Sequence, residues 1–176
     1  IESWGDRART TVGLSKEAAI AAAASFGDMF TLIGFTGDEA ANMSKNAVQA
    51  AADLGSFSNL DTADVADRIS AAFRGEYDSL QAVIPNINAA RVESEALAKT
   101  GKTVASELTA QEKAAAVLAI VQKDGARAMG DFARTSDRAA NSAKIATAGL
   151  EDQQAKLGQQ LLPAWSGLLG FLTGTA

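Results

Sequence analysis

The side chains able to do chemistry in this 176-residue chain are carboxylates, ammonium and guanidinium groups, hydroxyls and amides. It has no cysteine and no histidine. That removes thiolate catalysis, disulfides and Cys-ligated metal, together with the commonest metal ligand and general base. The 21 acidic residues leave a paired-carboxylate hydrolase as the simplest chemistry to test, yet no spacing singles out a pair. Asp61, Asp64 and Asp67 step by threes and read as a solvated helix face rather than a metal site. Asp53 to Asp64 fails as a calcium loop, because Gly55 and Phe57 stand where oxygen ligands belong. Gly101-Lys102-Thr103 resembles the tail of a phosphate loop, but the earlier glycine is replaced by Ala96 and no strand precedes it. Asn42-Met43-Ser44 matches a glycosylation triplet in mid-helix and reads as chance. Arg134 with Asp131 and Asp137 reads as an ion-paired cap or as a plain helix start. The sequence therefore predicts a protein that is not an enzyme, with no cofactor and no metal.

Composition points to helices. Hydrophobic residues make up 47%, aromatics only 6%, and much of the apolar share is alanine, a strong helix former that fills little core. No strand pattern competes. A net charge of −5 argues against holding nucleic acid by phosphate neutralisation. No secretory signal is visible, and the missing initiator Met reads as an internal fragment. Ala18 to Phe35 is interrupted by Gly27, Asp28 and Gly34, and Leu161 to Leu172 is shorter than a span needs.

Caps divide the chain. Ser15 opens a helix to about Leu32, with Ala19, Ala22, Ala23, Phe26, Phe30 and Ile33 on one face. Thr36 and Glu39 form a capping box opening a helix to about Leu54, ended by Gly55. Asp61 or Thr62 starts a third, stopped at Gly75. A short turn at Asp78 to Val83, a break at Pro85 and a helix from Asn88 to Lys99 ended by Gly101 follow. Thr109 and Glu112 form a second box, opening a helix expected to continue to Met129, where Gly130 interrupts it. The last helix is expected from Thr135 or Ser136 to Leu172, roughly 55 Å at ~1.5 Å per residue, with a kink at Pro163. In it Ala139, Ala143, Ala146, Leu150, Gln153, Leu157 and Leu161 step by threes and fours. That stripe suits either packing on the chain's own domain or a coiled-coil seam in which polar Gln153 sets register. The expected organisation is all-α: a compact domain of five to six short capped helices over 1–130, then a long helix over 131–176 leading out of it.

Over nearly all of Gly13 to Leu172, and most strongly in its last third, the chain resembles the tail tape measure proteins of long-tailed bacteriophages and prophages. Its anchors are Gly13-Leu14-Ser15-Lys16-Glu17-Ala18 with Ser25-Phe26-Gly27, then Ala52-Asp53-Leu54 with Phe57, then Arg74-Gly75-Glu76 with Leu80. The strongest is Gly130, Asp131, Phe132, Arg134, Thr135, Ser136 and Asp137 with Asn141, leading to Leu157-Gly158 and Leu161-Leu162-Pro163. Ser79, where the family often has proline, and Ala139 or Ala140, where it often has a bulky residue, depart from the pattern. The resemblance implies a structural virion protein in the tail lumen, which sets tail length during assembly and leaves ahead of the genome. Implied partners are further copies of the chain (a homo-oligomer, with a trimer among the possible states), the tail tube protein, distal tail and hub proteins, tail assembly chaperones and the host membrane, but no specific nucleic acid. Two alternatives stay open: a membrane-active helical module in the host envelope, and an unrelated soluble helical adaptor.

Overall fold

The computed structural model describes residues 2–173, with side chains described as far as Pro163 and at Ser166. Ile1 and Gly174-Thr175-Ala176, and the side chains of most of the apolar stretch up to Leu172, lie outside the described residues. The protein is all-helical. In chain order come α1 (Glu2–Gly5), α2 (Ala8–Thr11), α3 (Lys16–Leu32), α4 (Gly37–Ser58), α5 (Thr62–Phe73), α6 (Ala89–Thr100), α7 (Ala110–Asp124), α8 (Asp131–Arg134) and α9 (Ala139–Thr173).

Local signals set most boundaries. The Ser15 hydroxyl accepts from the Ala18 N–H at 3.4 Å, and Asp61 and Asn88 cap α5 and α6 in the same manner. Thr36 with Glu39 and Thr109 with Glu112 close reciprocal capping boxes, satisfying N–H groups that the first helical turn leaves without partners. Gly101, at φ +73, terminates α6. Thr109→Ala is expected to lower the unfolding free energy by about 1 kcal/mol, read as a lower urea midpoint at unchanged m-value; no shift would mean that Glu112 holds the helix start alone.

Gly55, expected as a stop, and Gly125, expected inside a continuous helix, have other roles. α4 runs past Gly55 to Ser58 and ends at Asn59, a left-handed residue with φ 55°. The chain then folds back so tightly that a Cβ on Gly55 would lie 3.1 Å from the Leu60 carbonyl oxygen. The helix expected to continue to Met129 stops at Asp124. At Gly125 a Cβ would run into the Val121 carbonyl of the preceding turn and stand 3.2 Å from both Leu54 and Met129. The glycine thus admits the end of α7 as well as close approach of α4, and turns carry the chain on to Gly130.

α3 and α4 pair along their length, α5 returns along α4, and the α6–α7 hairpin closes the other side against α4 and α5. The core is built of alanine and medium aliphatics, with the buried Phe26 and Phe30 rings stacked and the partly buried Phe73 edge-on to both. The Phe30 and Phe73 rings are 4.8 Å apart edge to face, a geometry favoured by the ring quadrupole. Ala19, Ala23, Phe26 and Phe30 are all buried, so the apolar face of Ala18 to Phe35 serves the core. No helix among the described residues is long and apolar enough to cross a membrane.

The folded body continues past the expected boundary at Gly130. Phe132 is fully buried, and Asn141 and Ala148 are buried on the first turns of α9. The short helices α1 and α2, which no periodicity announces, also belong to it, burying Ala8 and Val12.

Candidate functional site

The strongest sequence anchor, Gly130 to Asn141, is a polar clasp wound on the C-terminal half of α4. Gly130 takes a left-handed conformation (φ +75) that turns the chain into α8. The buried Asp53 carboxylate of α4 meets it there. It accepts from the Gly130 N–H at 2.9 Å and the Phe132 N–H at 3.2 Å, and from the Gln49 amide at 3.3 Å. Gln49 also donates to the Thr11 carbonyl at 3.2 Å, tying in α2. One turn along α4, the Ser56 hydroxyl donates to the Asp131 carboxylate at 2.7 Å and lies 3.1 Å from the Thr135 hydroxyl. The Asn141 amide, on the first turn of α9, donates to Ser56 at 2.7 Å and to Thr135 at 2.8 Å.

The remaining anchor residues separate by role. Arg134 donates to the Met129 carbonyl at 2.7 Å and pairs with Asp131 at 3.4 Å, so the ion-paired cap forms through Asp131 while exposed Asp137 stays outside it. Thr135 does not start the last helix. Its hydroxyl turns back to the Asp131 carbonyl at 2.8 Å, and α9 begins only at Ala139, leaving Ser136 and Asp137 in the intervening turn. Phe132 fills the apolar side of the clasp and lies against Gly13, whose backbone stands at φ +70; a Cβ there would run into the ring. Asp53 and Ser56 are the residues that spacing alone does not single out. A lone acid in the apolar run from Ala50 to Leu54 was the available signal, since buried carboxylates demand partners.

An open groove of about 550 Å³ lies over the clasp, bounded by Phe57, Leu60, Arg138 and Lys144. The Ser56 and Thr135 hydroxyls, the Asp131 carboxylate and the Asn141 amide beneath it are engaged with one another and fasten α8 and α9 to α4. Burial pushes the Asp53 carboxyl above its ordinary value, and the donors around it only partly offset this. Asp61, Asp64 and Asp67 are all exposed, and no cluster of three or more metal-ligating side chains occurs among the described residues.

The second feature is on α9. Its docked face is Asn141, Lys144, Ile145, Ala148, Gly149 and Asp152. Ala139, Ala143, Ala146, Leu150, Gln153, Leu157 and Leu161 are all exposed, with Leu150 at 57%, Leu157 at 58% and Leu161 at 65%. Ala146 and Leu150 lie two residues either side of Ala148, hence about 200° around the helix at ~100° per residue. Packing of this stripe on the chain's own domain, the first of its two readings, is therefore overturned: small and polar residues dock α9, and the leucine stripe faces away. α9 continues as one helix through Pro163, itself exposed.

The fold and these features define an all-α body with a long helix projecting from it. No protein-family model matches the chain, and no curated protein or solved structure matches it.

Proposed function

We propose that this chain is a structural module of a phage tail tape measure protein, resident in the tail lumen, with a clasped helical body from which α9 leads. The observation that carries the reading is the combination of the ordered anchors with a 35-residue helix whose apolar stripe its own body leaves uncovered. A lumenal scaffold needs elongated helices that meet other copies, and the stripe with Gln153 in it suits that use. The acidic surface suits a lumen through which DNA passes without adhering. Cryo-electron microscopy of tails carrying a tagged version tests the role. Density for the segment in the lumen or tip is expected, and its absence from both sinks the reading.

Self-association is separable from that test. Leu150→Lys with Leu157→Lys is expected to weaken association in sedimentation velocity by at least tenfold, since each charge stands in an apolar seam. The same change should leave the melting of the body within about 0.5 kcal/mol, as both side chains are exposed. A wild-type chain that stays monomeric at every concentration removes the seam from the proposal.

The membrane-active alternative relies on the Ala18–Phe35 and Leu161–Leu172 segments. The burial of α3 within the core means that insertion requires unfolding the body. Dye release from liposomes by the folded chain decides it.

A further inference from the structure

We infer that the first turns of α9 are a releasable strap, docked on the body by two polar latches with one ammonium contact between them, and able to leave it while the body stays folded. The attachment is thin in apolar terms. Between Ala139 and Ala155 the fully buried residues are Asn141, Ala148 and Gly149, and the largest apolar side chain on the docked face, Ile145, is only partly buried. Burial stabilises in proportion to apolar area, so this interface holds far less firmly than the α3–α4 pairing, which buries Phe26, Phe30, Val48 and Leu54.

Hydrogen bonds at both ends of the seat, with one between them from the Lys144 ammonium to the Leu60 carbonyl at 3.0 Å, supply the remainder. At one end Asn141 joins Ser56 of α4 at 2.7 Å. At the other, the Asp152 carboxylate accepts from the Lys16 N–H at 2.8 Å, in the first turn of the 17-residue α3. There it meets an N–H without a helical acceptor and the positive end of the helix dipole. Between the latches, Gly149 permits close approach: a Cβ there would lie 3.0 Å from the Arg9 guanidinium.

The turn that would bend is also identifiable. Ser136, Asp137 and Arg138 form no side-chain hydrogen bond among the described residues, whereas Thr135 just before them is held by Asp131 and Ser56. Release thus pivots between Thr135 and Ala139, leaving Asp53, Phe132 and the core in place. Local openings of this kind arise where few apolar contacts hold an element.

The absence of cysteine allows two labels to be placed without removing native residues. Leu32→Cys on α3 and Gln160→Cys on α9, both exposed, carry spin labels in the otherwise unaltered chain, diluted with unlabelled protein to suppress distances between copies. Pulsed electron spin resonance is expected to show a docked distance and a second, broader population. Asp152→Asn and, separately, Asn141→Ala should each shift the ratio toward the second by about tenfold, the effect of one lost charge-assisted or buried hydrogen bond. Circular dichroism melting of the body should hold through Asp152→Asn, which keeps the side-chain shape. One narrow distance, unchanged in both variants, overturns the strap. So does a broad population that appears only where the body has itself unfolded.

Discussion

Replacing Phe132 by alanine is expected to destabilise the fold by about 3–5 kcal/mol, the range for deleting a fully buried aromatic ring. The residue is completely enclosed, though it lies on a helix of only four residues beyond what the caps mark as the end of the domain. Such a short helix has negligible stability of its own; the ring's burial holds it there. Urea unfolding at constant m-value reads the loss. A cost below about 1 kcal/mol, the scale of ordinary surface changes, would mean that α8 is no part of the core and that the domain ends at Gly130. The packing of Phe132 on Gly13 adds an internal control. Gly13→Ala in the native background meets both the ring and a positive φ. In a Phe132→Ala background only the backbone strain remains, about 1–2 kcal/mol for a left-handed residue bearing a Cβ. The two substitutions are therefore expected to be strongly non-additive. Equal costs in both backgrounds would show that the ring does not rest on that backbone.

What the sequence made legible, and what it hid, follows from the range of the interactions. Ser15, Thr36 with Glu39, Asn88, Gly101 and Thr109 with Glu112 act within four residues of themselves, so their roles as caps stand in the sequence as written. Gly55 and Gly125 were visible as glycines but not in their use. Gly55 admits the Leu60 carbonyl of the returning turn, and Gly125 admits Leu54 of α4 beside its own preceding turn. Such close approaches carry no mark in the sequence to distinguish them from a helix end. Asp53 and Ser56 meet partners 75 to 85 residues away, which no window along the chain can show. The stripe of α9 was legible as a stripe. Its direction was not, because alanine, glycine and asparagine on the opposite face make a docking surface with almost no hydrophobic signature. α1 and α2 were missed since four-residue helices owe their existence to the packing of Ala8 and Val12.

The clasp is tested most severely at Asp53. Asp53→Ala is expected to cost about 2–6 kcal/mol, because it leaves the Gly130 and Phe132 N–H groups without acceptors inside the protein, at roughly 1–3 kcal/mol for each unsatisfied group. Asp53→Asn keeps one carbonyl oxygen but turns an amide NH₂ toward a donor, so a smaller loss is expected. The pH dependence separates burial from hydrogen bonding. Burial is the largest influence on this carboxyl and raises its pKa. The donors from Gly130, Gln49 and Phe132 lower it, and the nearby Asp131 charge raises it again. A group that holds its proton more tightly when folded contributes its full stability below the unfolded value of about 3.9 and loses it as pH rises through the native value. Glu112 behaves oppositely: hydrogen bonds from Lys102 and Thr109 hold it below the ordinary range, so its contribution is present above the ordinary value and lost as pH falls through the native one. The deficit of Asp53→Asn, measured by urea unfolding, should accordingly be larger near pH 3 than near pH 7, and that of Glu112→Gln larger near pH 7. If the Asp53→Asn deficit instead grows with pH, the donors outweigh burial and the ionised carboxylate is the form the clasp favours. If Asp53→Ala costs no more than a surface substitution, the clasp does not hold α8 to α4 at all.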